Sequence, residues 1–200
     1  MPCNPVGAAE RRRNQFDKIR RMEEVTAQVL ALGNEEITAA VDAECAPMPE
    51  GSFEEIINPD AVHASLEKFM HGAEYRFALA VTKILKAGEA EMEEISLTVY
   101  EAGLEIALPP MDSAAEVYEA LDLDILDGMP CDETRSIIEC GEDRVSWRQT
   151  EDLHSSFWQQ AGGNPADYTA LLVAYTDGLL SGMLYRLRIE EDGTYVLAQQ

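Results

Sequence analysis

Between residues 131 and 158 the chain gathers Cys131, Cys140, Asp143, Arg144, Trp147, Arg148, Glu151, His154 and Trp158, its densest collection of chemically useful side chains. A thiolate and an imidazole can bind zinc, or can work as nucleophile and base. Zinc would need tetrahedral convergence, and Cys131, Cys140 and His154 would supply three ligands and leave one position open. A predicted turn and strand separate the two cysteines, so their spacing neither brings them together nor forbids it. No cofactor and no metal are expected, with Cys131, Cys140 and His154 as the alternative metal set.

His154 and Trp158 are four residues apart and share a helical face. The plainer reading puts Trp158 in the core with His154 at its boundary. The functional reading makes Trp158 a pocket wall and His154 a group that orients a ligand. Asp177 interrupts the apolar run YTALLVAYTDGLLSGMLY. A carboxylate buried there must find a cation or hydrogen-bond donors, and a nearby arginine is the default partner. Arg144 and Arg148 lie on one strand face, with Arg186 and Arg188 together on a later strand. If those strands are neighbours, four guanidinium groups would form an electropositive island, for an anionic ligand or for the protein's own acids.

Two functions follow. The leading one is a protein without catalysis that binds a small molecule or another protein, with Trp147, Arg148, His154, Trp158 and Asp177 around a pocket. The alternative is a hydrolase- or lyase-type enzyme. There Cys140 (or Cys131) attacks, His154 moves the proton, Asp177 orients or neutralises, and Arg148 holds an anionic substrate. The sequence holds no GxGxxG, P-loop, HExxH, nucleophile-elbow pentapeptide or EF-hand loop.

The chain carries 38 Asp and Glu against 15 Lys and Arg, a formal charge of −23 over 200 residues. That field repels phosphates, so neither nucleic acid nor an anionic membrane is expected as a partner. A 46% hydrophobic content is too high for a disordered acidic chain. Only Lys18, Lys68, Lys83 and Lys86 are lysines. An acidic, lysine-poor surface can arise in salty cytoplasm, although an ordinary acidic protein is the plainer source. Cys3, Cys45, Cys131 and Cys140 include no CxxC pair, and the N-terminus lacks an apolar signal region. A cytoplasmic protein with reduced thiols is expected, and homodimerisation is a secondary expectation with no symmetry argument behind it.

The elements that must position these groups are read from periodicity. Phe16, Ile19, Met22, Val25, Val29 and Leu32 recur at threes and fours, predicting a helix from about Ala8 that ends near Gly33. Arg11, Arg12 and Arg13 in its first turns read as a solvated face. A short helix over Glu35–Glu44 precedes a connector over 45–58. Asn58, Pro59 and Asp60 predict the start of a long helix over 59–87, with exposed glutamates and a stop at Gly88. Residues 89–108 carry both helical and alternating spacing. Helix is preferred for the first half, and the second half is left open. Ala114–Leu121 reads as a helix.

Beyond it, Arg135–Cys140 and Arg144–Gln149 predict a hairpin, Asp152 a helix cap, and Ala166–Ser181 a buried helix rather than a bilayer span. Leu184–Ile189 and Thr194–Ala198 predict a closing hairpin about Asp192-Gly193. The expectation is an α+β fold in a single integrated domain, 1–200. Its mainly helical part, 8–127, packs with a hairpin-helix-helix-hairpin unit, 135–199, built on an antiparallel sheet in the order β-β-α-α-β-β.

Overall fold

Helix α1 (Ala8–Leu30) buries Phe16, Ile19, Val25 and Val29 along one stripe, as its spacing predicts. The computed structural model describes residues 8–129, 131–132 and 134–200. Cys3 lies outside the described residues. Asn34 caps α2 (Glu35–Glu44), its side chain accepting from the Ile37 amide at 3.1 Å. Within the expected connector, a single turn, α3 (Phe53–Ile56), forms behind Ser52 and Glu55 in a capping box.

The long helix α4 spans Val62–Ala87 and stops at Gly88, whose φ of +68° suits a residue without a Cβ. It begins later than Pro59 because Asn58 accepts from the Asp60 amide and closes a turn ahead of it. The expectation of exposed glutamates holds for Glu67 and fails for Glu74, which is 3% exposed. One helix, α5 (Met92–Ile106), resolves the ambiguous stretch. Its buried Ile95, Val99 and Ala102 follow the helical period. Ser113 caps α6 (Ala114–Asp124).

Strands β1 (Arg135–Cys140) and β2 (Arg144–Gln149) form the first hairpin. Helix α7 (Ser155–Ala161) starts later than an Asp152 cap would place it: its N-cap is His154, and Asp152 accepts from the His154 and Ser155 amides in the turn ahead. Asn164 and Pro165 then open α8 (Pro165–Leu179). Strands β3 (Tyr185–Ile189) and β4 (Tyr195–Gln199) close the chain. The result is an α+β fold, a helical N-terminal part packed with a β-β-α-α-β-β unit. The antiparallel sheet has the order β1-β2-β4-β3.

Because β4 lies between β2 and β3, the arginine strands are not neighbours. Arg144 and Arg186 sit on opposite sides of Ala198. The other sheet face, with Val145, Trp147, Leu187 and Leu197, packs on α6 and the end of α8. A second apolar cluster joins α1, α2, α4, α5, α7 and α8, so α8 contributes Leu171 to one cluster and Leu179 to the other. No helix among the described residues is long and apolar enough to cross a membrane.

The tightest packing is the crossing of α5 and α8. A Cβ on Gly103 would lie 2.3 Å from the Tyr175 carbonyl oxygen, and one on Gly178 would lie 2.1 Å from that of Tyr100. Backbone cannot yield there as a flexible side chain does. The Gly178-x-x-x-Gly182 spacing thus serves helix packing through Gly178, while a Cβ on Gly182 meets nothing. Chemical denaturation should show Gly103→Ala and Gly178→Ala each losing at least about 2 kcal/mol. Gly72→Ala, in α4 with open space around it, should gain about 0.5–1 kcal/mol from helix propensity. Equal effects at the three positions would refute the close-approach account.

Candidate functional site

His154 stands just before α7 and is 8% exposed. Its Nδ1 lies 3.1 Å from Glu74 Oε2 of α4, and its Nε2 lies 3.4 Å from Asp127 Oδ1 in the segment after α6. The Tyr168 ring stacks on the imidazole with centroids 3.7 Å apart. Asp127 also accepts from Arg135 Nε at 2.7 Å and Gln149 Nε2 at 2.8 Å. Arg135 in turn reaches Asp122 at 2.7 Å. Helix α4, the post-α6 segment, β1, β2 and the start of α7 therefore meet in one buried charge network.

Burial alone would push the His154 imidazole down. The Glu74 carboxylate and the bond with Asp127 outweigh that and lift its pKa to about 10. For Asp127, burial pushes upward, but the His154 bond and the Arg135 charge more than reverse it and hold the carboxyl well below its usual range. His154 is consequently an imidazolium with both ring nitrogens committed, and it has no lone pair free to act as a base.

The other expected residues are dispersed. Trp147 is buried on the inner sheet face, stacked on Tyr195 with centroids 5.4 Å apart. Trp158 is buried in the helical cluster, edge-on to Phe77. The two indoles belong to different apolar clusters. Arg148 is exposed and pairs with Asp192 and Thr194. Arg144 pairs with Glu139, and Arg186 lies 3.7 Å from Asp177. These arginines offset the protein's own acids. Asp177 itself is half-exposed, with 38% of its side chain accessible, because it lies on the outer face of α8.

Cys131 and Cys140 are exposed, and Cys131 Sγ sits 4.0 Å from His63, not beside His154. No group of three or more His, Cys, Asp or Glu among the described residues is placed to hold a metal ion. The Cys140–His154–Asp177 triad and the Cys131–Cys140–His154 set are thus not assembled.

A cavity instead opens between α1, α4, α5 and α8. Met22, Val25, Phe77, Val99, Ile125, Leu126, Leu171 and Leu172 supply its apolar walls. Its polar side chains are Lys18, Arg21, Asp124, Tyr168 and Tyr175. Arg21 pairs with Asp124, and the Tyr175 hydroxyl donates to Asp124 at 2.8 Å. The volume is about 60 Å³, where one water needs roughly 10–15 Å³ on a similar measure. A single ring or a short chain fits.

A polar cleft of about 380 Å³ adjoins it, sharing Lys18 and lined also by Asn14, Gln15 and the acids Glu119, Asp122, Asp127 and Asp132. Another, of about 370 Å³, exposes the edges of His154, Tyr168 and Tyr195. Sequence reading missed Glu74, Asp127, Arg135 and the cavity groups. The available signal for Glu74 was its position between Met70, Ala73 and Phe77 on the buried face of α4. Asp127 sits in an acidic run, LDLDILDGMPCDE, that marks no one carboxylate out.

No protein-family model, curated protein or solved structure matches the chain.

The charge network has a pH signature. The folded pKa of His154 lies above its unfolded value, so its contribution is complete below pH 6.5 and is lost as pH rises toward 10. Asp127 is shifted the other way. Its contribution is complete above its unfolded value of 3.8 and is lost as pH falls through the depressed folded one. His154→Gln should cost about 3–5 kcal/mol at pH 6 by leaving two carboxylates without their cation. The gap between wild type and variant should narrow as pH rises from 7 to 10. A gap constant across that range, measured by urea unfolding, would show that His154 is not charged in the fold.

Proposed function

We propose that this is a cytoplasmic protein without catalysis that takes up a small molecule in the cavity between α1, α4, α5 and α8. The observation that carries the reading is the composition of that cavity. Its wall is mainly apolar and includes Lys18, Arg21, Asp124, Tyr168 and Tyr175, the usual makeup of a small-molecule site. Asp124 is fixed there by Arg21 and Tyr175, so the polar side is ordered before any ligand arrives.

Thiol catalysis has less support. The base it requires is held as an imidazolium, and burial together with Asp132 pushes the Cys131 thiol up, away from the thiolate. The unpaired Cys45, Cys131 and Cys140 suit a reducing compartment.

The cavity is testable with a neutral probe. Titration of the full chain with 1-hexanol, followed by amide and methyl NMR, should perturb Val25, Val99 and Leu171 with millimolar or tighter affinity. Leu172→Trp, at a half-buried wall position, should fill the space and weaken hexanol at least about tenfold without changing the fold. Shifts confined to other surfaces, or undiminished binding by the filled variant, would overturn the reading.

A further inference from the structure

The polar groups around the cavity are unequal. Arg21, Asp124 and Tyr175 satisfy one another. Lys18 is one turn from Arg21 and Met22 on the same face of α1, and it lines both the apolar cavity and the polar cleft beside it. Among the described residues its amine has no hydrogen bond and no ion pair; it feels Asp122, Asp127 and Arg135 only at longer range. Asp122 and Asp127 are already bound by Arg135, and Asp127 by His154 and Gln149 as well. A half-buried ammonium without a partner is a costly arrangement that a ligand can relieve.

Resting on the cavity reading above, we infer that the ligand is a small carboxylate, with its apolar body in the cavity and its carboxylate on the Lys18 amine at the mouth of the polar cleft. The ammonium supplies three donors on a flexible stem and needs an acceptor. A cationic ligand would face Lys18 and Arg21 without an unpaired acid inside the cavity, because Asp124 is taken. A neutral body would leave Lys18 as it stands. Burial already pushes the Lys18 amine down, with Asp122 only partly opposing this, so an arriving carboxylate restores what the fold withholds. Asn14, Gln15 and Thr134 line the cleft together with Glu119, Asp122, Asp127 and Asp132, so the carboxylate stays at the cleft's mouth on Lys18, with water between it and those acids.

The experiment compares hexanoate, 1-hexanol and hexylammonium on wild type, Lys18→Met and Lys18→Arg, by calorimetry and NMR on the full chain at constant ionic strength. Hexanoate should bind at least about tenfold tighter than hexanol to wild type, the gain of a charged hydrogen bond. Lys18→Met should bring the ratio of hexanoate to hexanol affinity to about one, and Lys18→Arg should retain part of the advantage. Hexylammonium should bind most weakly of the three. Equal affinity for hexanoate and hexanol in wild type, or an advantage that survives Lys18→Met, overturns the carboxylate assignment and leaves the cavity reading standing. Absence of hexanol binding to the wild type, or hexanol shifts that miss Val25, Val99 and Leu171, overturns the cavity reading itself.

Discussion

An imidazolium ring held between two carboxylates, with a guanidinium behind one of them, is the joint about which this fold is arranged. Glu74 belongs to the longest helix, Asp127 to the segment leaving the helical part, Arg135 and Gln149 to the first hairpin, and His154 to the turn before α7. Each ion would be costly to bury alone, because removal from water is not repaid by packing. Together they are tolerable only when all are present and correctly placed. Apolar contact between helices and sheet permits sliding, whereas a four-membered charge network permits one register. The Tyr168 ring stacked on the imidazole extends the constraint to α8, which is also pinned against α5 by the mutual approach of Gly103 and Gly178.

The same joint determines which chemistry is open to the molecule. A histidine near two carboxylates invites a catalytic reading, but the number of acceptors decides otherwise. With an acid on each ring nitrogen the proton count is set at two. A ring of that kind orients its neighbours and holds charge; it does not shuttle protons near neutral pH. The functional weight therefore passes to the space beside the joint, where the helices fail to close completely around Val99, Leu171 and Leu172.

Much of the fold was legible because it rests on local rules. The α1 stripe, the Gly88 stop and both hairpins depend on residues within a few positions of one another. The stretch over 89–108 was ambiguous because Ile95, Leu97 and Val99 satisfy both periods. Packing against α8 settles it, burying Ile95 and Val99 and leaving Leu97 exposed. The site was largely illegible, since its members lie far apart in sequence: Glu74 is 80 positions from His154. Clustering of Trp147, Arg148, His154, Trp158 and Asp177 along the chain suggested clustering in space. An antiparallel hairpin followed by two helices instead sends Trp147 and Trp158 into different apolar clusters and turns Arg148 and Asp177 outward.

Acidity gives the unpaired lysine its significance. With 38 acids for 15 bases, almost any cation in this molecule has a carboxylate within reach. Arg13, Arg21, Arg76, Lys83, Arg135, Arg144, Arg148 and Arg186 each have one as a close neighbour. An exposed cation without a partner, such as Arg11 or Arg12, is served by water at little cost. Lys18 differs from both groups. It is half-buried, it borders hydrocarbon, and the acids near it are occupied by stronger, planar donors that bind carboxylates in a fixed geometry. Glu119, Asp122, Asp127 and Asp132 line the same cleft, yet among the described residues none of them forms an ion pair with its amine. The acceptor that its amine lacks is the group a small carboxylate in the adjoining cavity would supply.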